Sequence, residues 1–245
     1  MNDNAPTDGA PCLTTTTTTG RETMPAGQPF SNYRRRPPGQ RTNRLVIAGI
    51  ALMLLGIVGG LWLYLYLKSL EKPYRDVQGY RVPTNHTLRS FLRQGDNRAR
   101  LKELERFLDS RGVGEVVETG SLFRQGSDWL EINEPPFAIP PHSEWENIVE
   151  TLKVVRDQVI PAIGPVEILS AYRTDSYNRR GGGAGGSKHR QFCGLDLVPL
   201  SNIGRGELVE ELRMVHAQVG RSSQVGLGIY SSVRFHIDTC GYRSW

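Results

Sequence analysis

Residues 45–67 form an uninterrupted apolar run without a formal charge, and no other stretch restricts the fold of this chain so strongly. About 20 apolar residues span the hydrocarbon core of a bilayer. Trp62, Tyr64 and Tyr66 gather at one end of the run, as residues of an interfacial belt do. The run is longer than the core of a signal peptide, and no small-x-small cleavage pattern follows it. One transmembrane helix is expected, the alternative being a buried helix of a soluble protein. Arg34, Arg35, Arg36, Arg41 and Arg44 precede the run, against Lys68, Lys72 and Arg75 after it. The positive-inside tendency then places the N terminus of this single-pass chain on the cytoplasmic side and the C-terminal body outside. Gly56, Gly59 and Gly60 would let two such helices approach, a weak cue because glycine is common in membrane helices.

The formal net charge of +5 is concentrated in those arginines. Beside an apolar run they read as a topology signal first and as a nucleic-acid arm second. No nucleic-acid motif accompanies them, so no nucleic-acid partner is expected. Residues 1–44 are rich in Pro, Gly, Asn and Gln, with threonines at 14–19, and hold few large apolar side chains. Such a segment buries too little surface to offset its ordering entropy and is expected to be a disordered cytoplasmic tail. Residues 68–96, interrupted by Pro73, Gly79 and Pro83, are expected to form a stem carrying one short helix near Thr87. Residues 97–245 then make up the exported domain.

Within that domain, Leu101, Leu104, Phe107 and Leu108 recur at helical spacing up to Gly112. Residues 113–141 read as loop with short strands around Val116 and Trp129. Ser143 followed by Glu146 has the pattern of a capping box opening a helix that Pro161 and Gly164 would stop. Strands are expected at 166–169, 192–200, 225–230 and 233–237, and a helix at 205–219 with Leu208, Leu212 and Val215 on one face. His216 on that helix reads as a packing or surface histidine, and Trp129 and Trp145 as core residues.

The chemistry gathers in the same half. Ser170-Ala171-Tyr172-Arg173 leads into a glycine-dominated loop at 181–186, then His189, Asp196 seven residues later, and a late Phe235-His236-Ile237-Asp238. His189, Asp196 and His236, all expected on strands, are proposed to hold one Zn2+ ion. Two imidazoles and a carboxylate suit zinc, and three protein ligands leave a position open for chemistry. Arg173 is expected to clamp a substrate carboxylate or to stabilise a developing oxyanion. Ser187 and Tyr172 are expected to bind substrate or fix the loop. Asp238 shares a strand face with His236 and either activates water or orients the histidine, with orientation favoured. The glycine loop lacks the Gly-Lys-Ser/Thr ending of a P-loop. It reads as a place of close backbone approach to substrate rather than as a domain linker. Cys193 and Cys240 each lie four residues after a candidate ligand histidine. A disulfide and two free buried thiols are both compatible with that spacing.

Ser170 to Arg173, Asn178, Gly182-Gly183, Ser187-Lys188-His189, Gly194-Leu195-Asp196, Gly228-Ile229-Tyr230 and His236-Ile237-Asp238-Thr239 together resemble the M15 zinc peptidases. The resemblance is nearest to the D-alanyl-D-alanine carboxypeptidase-like branch and covers roughly residues 101–245. It implies an α+β domain, hedgehog/D-Ala-D-Ala peptidase-like, with a small mainly antiparallel sheet, packed helices and the zinc site, preceded here by one transmembrane helix. It further implies a periplasmic hydrolase of peptidoglycan stem peptides in the cell wall, either a carboxypeptidase or a cross-link endopeptidase. Several M15 branches carry glutamate three residues before the last ligand, or histidine two before it. Here Val233 and Arg234 stand there, so neither pattern is met. A zinc-stabilised wall-binding module without turnover is the competing expectation.

Overall fold

The structure, a computed structural model, describes residues 39–69 and 71–245, with side chains from residue 43 on. The expected tail lies outside the described residues up to residue 38, as do Cys12 and Arg34 to Arg36. Two compact units divide the chain, on either side of Leu65. The first is the greater part of helix α1 (Gly39–Ser69), which takes in the last residues assigned above to the tail. Its stretch Asn43–Ser69 is long and apolar enough to cross a membrane, and its large apolar side chains are exposed.

The second unit is an α+β domain. Its main sheet runs β3 (Val166–Ser170), β4 (Leu195–Pro199), β6 (Phe235–Asp238), β5 (Gly226–Ile229) and β7 (Arg243–Ser244), antiparallel except for the parallel β5–β7 pair. Side chains alternate faces along a strand. Leu195, Leu197, Phe235, Ile237 and Leu227 accordingly enter one core with helix α3 (Asn97–Ser110), helix α4 (Glu146–Val154) and helix α7 (Arg205–Val219). That core holds Leu104 and Leu108 of α3, Ile148 and Leu152 of α4, and Leu208 and Leu212 of α7. Asp196 and Val198 of β4, with His236 and Asp238 of β6, fall at the alternate positions.

Residues expected as a stem are folded instead. Strands β1 (Tyr74–Val77) and β2 (Tyr80–Pro83) form a hairpin, and helix α2 (Asn85–Leu92) follows, capped by the Thr84 hydroxyl. Gly79 closes the hairpin rather than breaking a helix. Gln78 and Gly79 have φ of 51° and 81°, the positive values that a two-residue hairpin turn demands at both central positions. The hairpin is held from afar: Val77 and Val82 pack with Leu169 and Val198 in a second small core.

Three local expectations are corrected. Ser143 does not cap a helix: His142–Glu144 is a 3-10 turn, and α4 starts at Glu146 without a side-chain cap. Trp145 anchors this start instead, its Nε1 donating to the Pro140 carbonyl at 3.1 Å. Pro161 does not stop the helix either. A π-turn at Val155–Val159 precedes a further helical turn, α5 (Ile160–Ile163). Widening the backbone there accommodates a ring that would otherwise clash with the carbonyl four residues earlier. Val116 and Trp129 do not nucleate strands: 113–141 is built from turns, a buried 3-10 segment Thr119–Phe123 and one bridge, Arg124 with Phe137.

Cys193 and Cys240 form a disulfide with Cα atoms 6.4 Å apart. It joins the turn before β4 to the segment that leaves β6.

Candidate metal centre

Sheet register brings the first two donors together. Asp196 on β4 is the cross-strand partner of His236 on β6, and its Oδ1 lies 3.0 Å from His236 Nδ1. The third donor arrives from a 3-10 turn, Lys188–Gln191, and not from a strand. His189 Nε2 lies 3.2 Å from Asp196 Oδ1 and 3.2 Å from His236 Nδ1. Gly194 permits this convergence, since a Cβ there would meet His236 Cε1 at 2.6 Å. All three residues are buried, and the three donor atoms lie within 4.8 Å of one another.

The donor set fits a zinc ion. Bonds of roughly 2.0–2.1 Å at tetrahedral angles place neighbouring donors about 3.3 Å apart, close to the separations above. Each imidazole is also fixed at its other nitrogen. His189 Nδ1 is 2.8 Å from the Ala171 carbonyl, and His236 Nε2 is 2.9 Å from Asp238 Oδ2. Donation at those atoms leaves the lone pairs of His189 Nε2 and His236 Nδ1 inside the triad.

The electrostatics are compatible with ligation. Burial and the nearby Arg173 charge push the His189 imidazole down to about 4, so it is neutral at physiological pH. For His236 burial acts downward, but hydrogen bonds to Asp196 and Asp238 outweigh it and raise its pKa. Burial opposes ionisation of Asp196, yet the charge that His189 takes on in acid and the Arg173 guanidinium hold its pKa well below the usual carboxylate range.

Arg173 is committed to this carboxylate. Its Nη2 donates to Asp196 Oδ2 at 2.6 Å, and its Nε donates to Ser170 Oγ and to the Gln125 carbonyl, both at 2.8 Å. With a side chain 18% exposed it is no surface ion pair. It steadies Asp196 while leaving Oδ1 to the triad. Gln125, unnoticed in the sequence, is the buried organiser of this segment: its Oε1 accepts from Thr174 N and Thr174 Oγ1.

Asp238 is fully buried behind His236. It accepts from Arg243 Nη2 at 2.6 Å, Arg243 Nη1 at 3.1 Å and Cys240 N at 2.9 Å besides its contact with His236. With both oxygens engaged and no position on the cavity wall, its geometry is that of an orienting carboxylate rather than a base. Burial alone would raise its pKa, but hydrogen bonds from His236 and Arg243 lower it.

The triad opens into a cavity of about 640 Å³, within the usual range for ligand sites. Arg173 and Ser187 line it, as do most residues of the glycine loop. Asn178 holds that loop, its Nδ2 donating to the Gly183 and Ala184 carbonyls. Tyr172 is not brought to the cavity. It follows the end of β3 and packs edge-on against Phe192, with ring centroids 6.3 Å apart, where an aromatic ring gains more by burial than at a polar wall.

Sequence reasoning gave no role to Tyr230, Arg234, Arg243 or Trp245, all of which line the cavity. Tyr230 lay inside the quoted resemblance. Arg243 and Trp245 become legible only once β7 is seen to pair beside β5. Burial and the Asp196 charge push the Tyr230 phenol up to about 12, so it keeps its proton. Trp245 packs on His236 with ring centroids 5.3 Å apart.

A buried His–Asp–His group at the floor of an open cavity could hold a metal ion with a position left open toward the cavity. Residues 127–238 match the family model described as Peptidase M15. The match spans under half of the chain, contains all three donors and Arg173, and supports a metallopeptidase-type hydrolase; M15 peptidases are zinc-dependent. No curated protein and no solved structure matches the chain.

Proposed function

We propose that this chain is a zinc-dependent peptidase of peptidoglycan stem peptides containing D-alanine, anchored in the inner membrane through residues 45–67 with its catalytic domain on the periplasmic side. The observation that carries this reading is the convergence of His189 Nε2, Asp196 Oδ1 and His236 Nδ1 at the cavity floor, with the far nitrogen of each imidazole already engaged. The orientation rests on the excess of arginine before the apolar run.

When bound, a zinc ion supplies Lewis acidity and lowers the pKa of water toward 7. The chain's own groups do the rest. Arg173 fixes the rotamer of Asp196, and Asp238 fixes the ring of His236 through Nε2. Tyr230 offers a protonated hydroxyl on the wall, suited to donate to an oxygen on which charge develops. Ser187 and the glycine loop give the peptide backbone a surface without bulky side chains.

One observation favours the second reading, a zinc-stabilised wall-binding module. Apart from Asp196, the only carboxylate on the cavity wall among the described residues is Asp128, which already accepts from the Tyr177 hydroxyl. The two readings part in one experiment. The full chain in detergent micelles, loaded with zinc, is incubated with pentapeptide monomers and cross-linked dimers from purified wall, and products are identified by mass. Loss of one alanine marks a carboxypeptidase, and conversion of dimer to monomer an endopeptidase. Either must vanish with a chelator and in His189→Ala. No product at stoichiometric zinc would reject the peptidase and leave the binding module.

A further inference from the structure

Arg234 is the unexplained cation of the cavity. It lies in the turn between β5 and β6, two residues before His236. Its guanidinium sits 4.1 Å from the centroid of the Tyr230 ring and 5.6 Å from that of Tyr80 on β2. Its Nε is buried and makes no hydrogen bond. The other arginines on the wall are spoken for: Arg173 by Asp196 and Arg243 by Asp238. Lys188 donates to the Gln191 amide. Among the described residues no carboxylate pairs with Arg234.

The turn that carries it is braced. Tyr230 N donates to the Arg234 carbonyl at 3.3 Å, and Arg205 donates to the carbonyls of Ser231 and Tyr230 at 3.0 and 3.1 Å. A guanidinium stacked on aromatic rings is held in place without being neutralised. A buried donor without a partner is costly, and a planar fork of this kind matches a carboxylate.

We propose that Arg234 is a specificity-determining residue that binds a carboxylate of the peptide substrate, with Tyr230 and the hairpin residue Tyr80 holding its guanidinium. The proposal rests on the peptidase reading for the identity of the ligand as a peptide. It gives the β1–β2 hairpin, which lies outside the matched region, a share in recognition. The carboxylate is either the free C terminus or an acidic side chain near the scissile amide.

The test is calorimetric binding to the zinc-loaded full chain in micelles, with the peptide checked by mass afterwards. The probes are N-acetyl-D-Ala-D-Ala, its C-terminal carboxamide, and the carboxamide of N-acetyl-D-Ala-D-Glu. A hydrogen-bonded charge pair predicts that the wild type binds a carboxylate-bearing probe roughly ten- to hundredfold more tightly than the plain carboxamide. Which of the two acids is preferred identifies the source of the carboxylate. Arg234→Gln should abolish the preference at unchanged zinc content, Arg234→Lys should restore part of it, and Tyr80→Ala should weaken it. Equal binding of all three probes by the wild type would overturn the proposal, and this comparison requires no variant to fold. So would full discrimination retained in Arg234→Gln. Discrimination here, with no product from the pentapeptide and cross-linked substrates of the preceding assay, would sink the peptidase reading and leave the carboxylate site standing.

Discussion

His236 Nε2 lies 2.9 Å from Asp238 Oδ2 on the same strand, while its Nδ1 lies 3.0 Å from Asp196 Oδ1 on the next. One imidazole thus bridges a buried carboxylate behind it and a carboxylate beside it in the candidate donor group. Partners that orient metal-bound histidines typically contribute 10–100-fold in metal affinity. Asp238→Asn should lower zinc affinity by about that factor while the domain stays folded. Competition with a chelating dye measures it, and unchanged affinity would assign Asp238 another role.

Arg173 is predicted to act through Asp196. Arg173→Ala frees Asp196 Oδ2 and leaves the carboxylate without its anchor, so zinc affinity and turnover should fall together. If turnover drops roughly 10²–10³-fold with affinity untouched, the residue contacts the reacting oxygen instead.

Zinc binding should depend on pH in two steps. In the metal-free chain the raised pKa of His236 means that its proton adds stability fully below 6.5, lost as pH rises through the folded value. Zinc competes with that proton. Apparent affinity should therefore climb as pH rises toward the folded value of His236 and level off above it. A second proton should enter near the His189 value of about 4. Affinity measured from pH 4 to 9 checks both steps, and a flat profile between 5 and 8 would contradict the first.

Much of the candidate site was legible because Leu195–Leu197 of β4 and Phe235–Asp238 of β6 are short and alternate apolar with polar. Leu195, Leu197, Phe235 and Ile237 show the core face, which leaves Asp196 and His236 together on the other. Helix α7 was equally open to reading, since Leu208, Leu212 and Val215 follow the helical period. What escaped depends on partners distant in sequence. Pro73, Gly79 and Pro83 look like breakers, and only burial of Val77 and Val82 against Leu169 and Val198 turns the segment into a hairpin. His189 was expected on a strand, but it lies in a 3-10 turn, and Phe192, at φ 50°, turns the chain before β4 begins. The position of Arg234 was noticed for what it lacked, and its two aromatic neighbours come from different elements.

The hairpin offers a stability test. Val82 is fully buried, and Val82→Ala should destabilise the domain by roughly 1.5–3 kcal/mol through lost burial and the cavity left behind. Denaturant midpoints of the full chain measure this. A change under about 0.5 kcal/mol, the size common at surface sites, would mean that the hairpin is detached in solution.

The bond between Cys193 and Cys240 ties the turn that carries His189 to the residues just past His236. Folding that brings the two histidine-bearing segments together raises the effective concentration of one thiol at the other and favours this pairing. Once formed, the crosslink keeps those segments near each other when no metal is bound. Mobility on a non-reducing gel would report what fraction of a preparation carries that restraint.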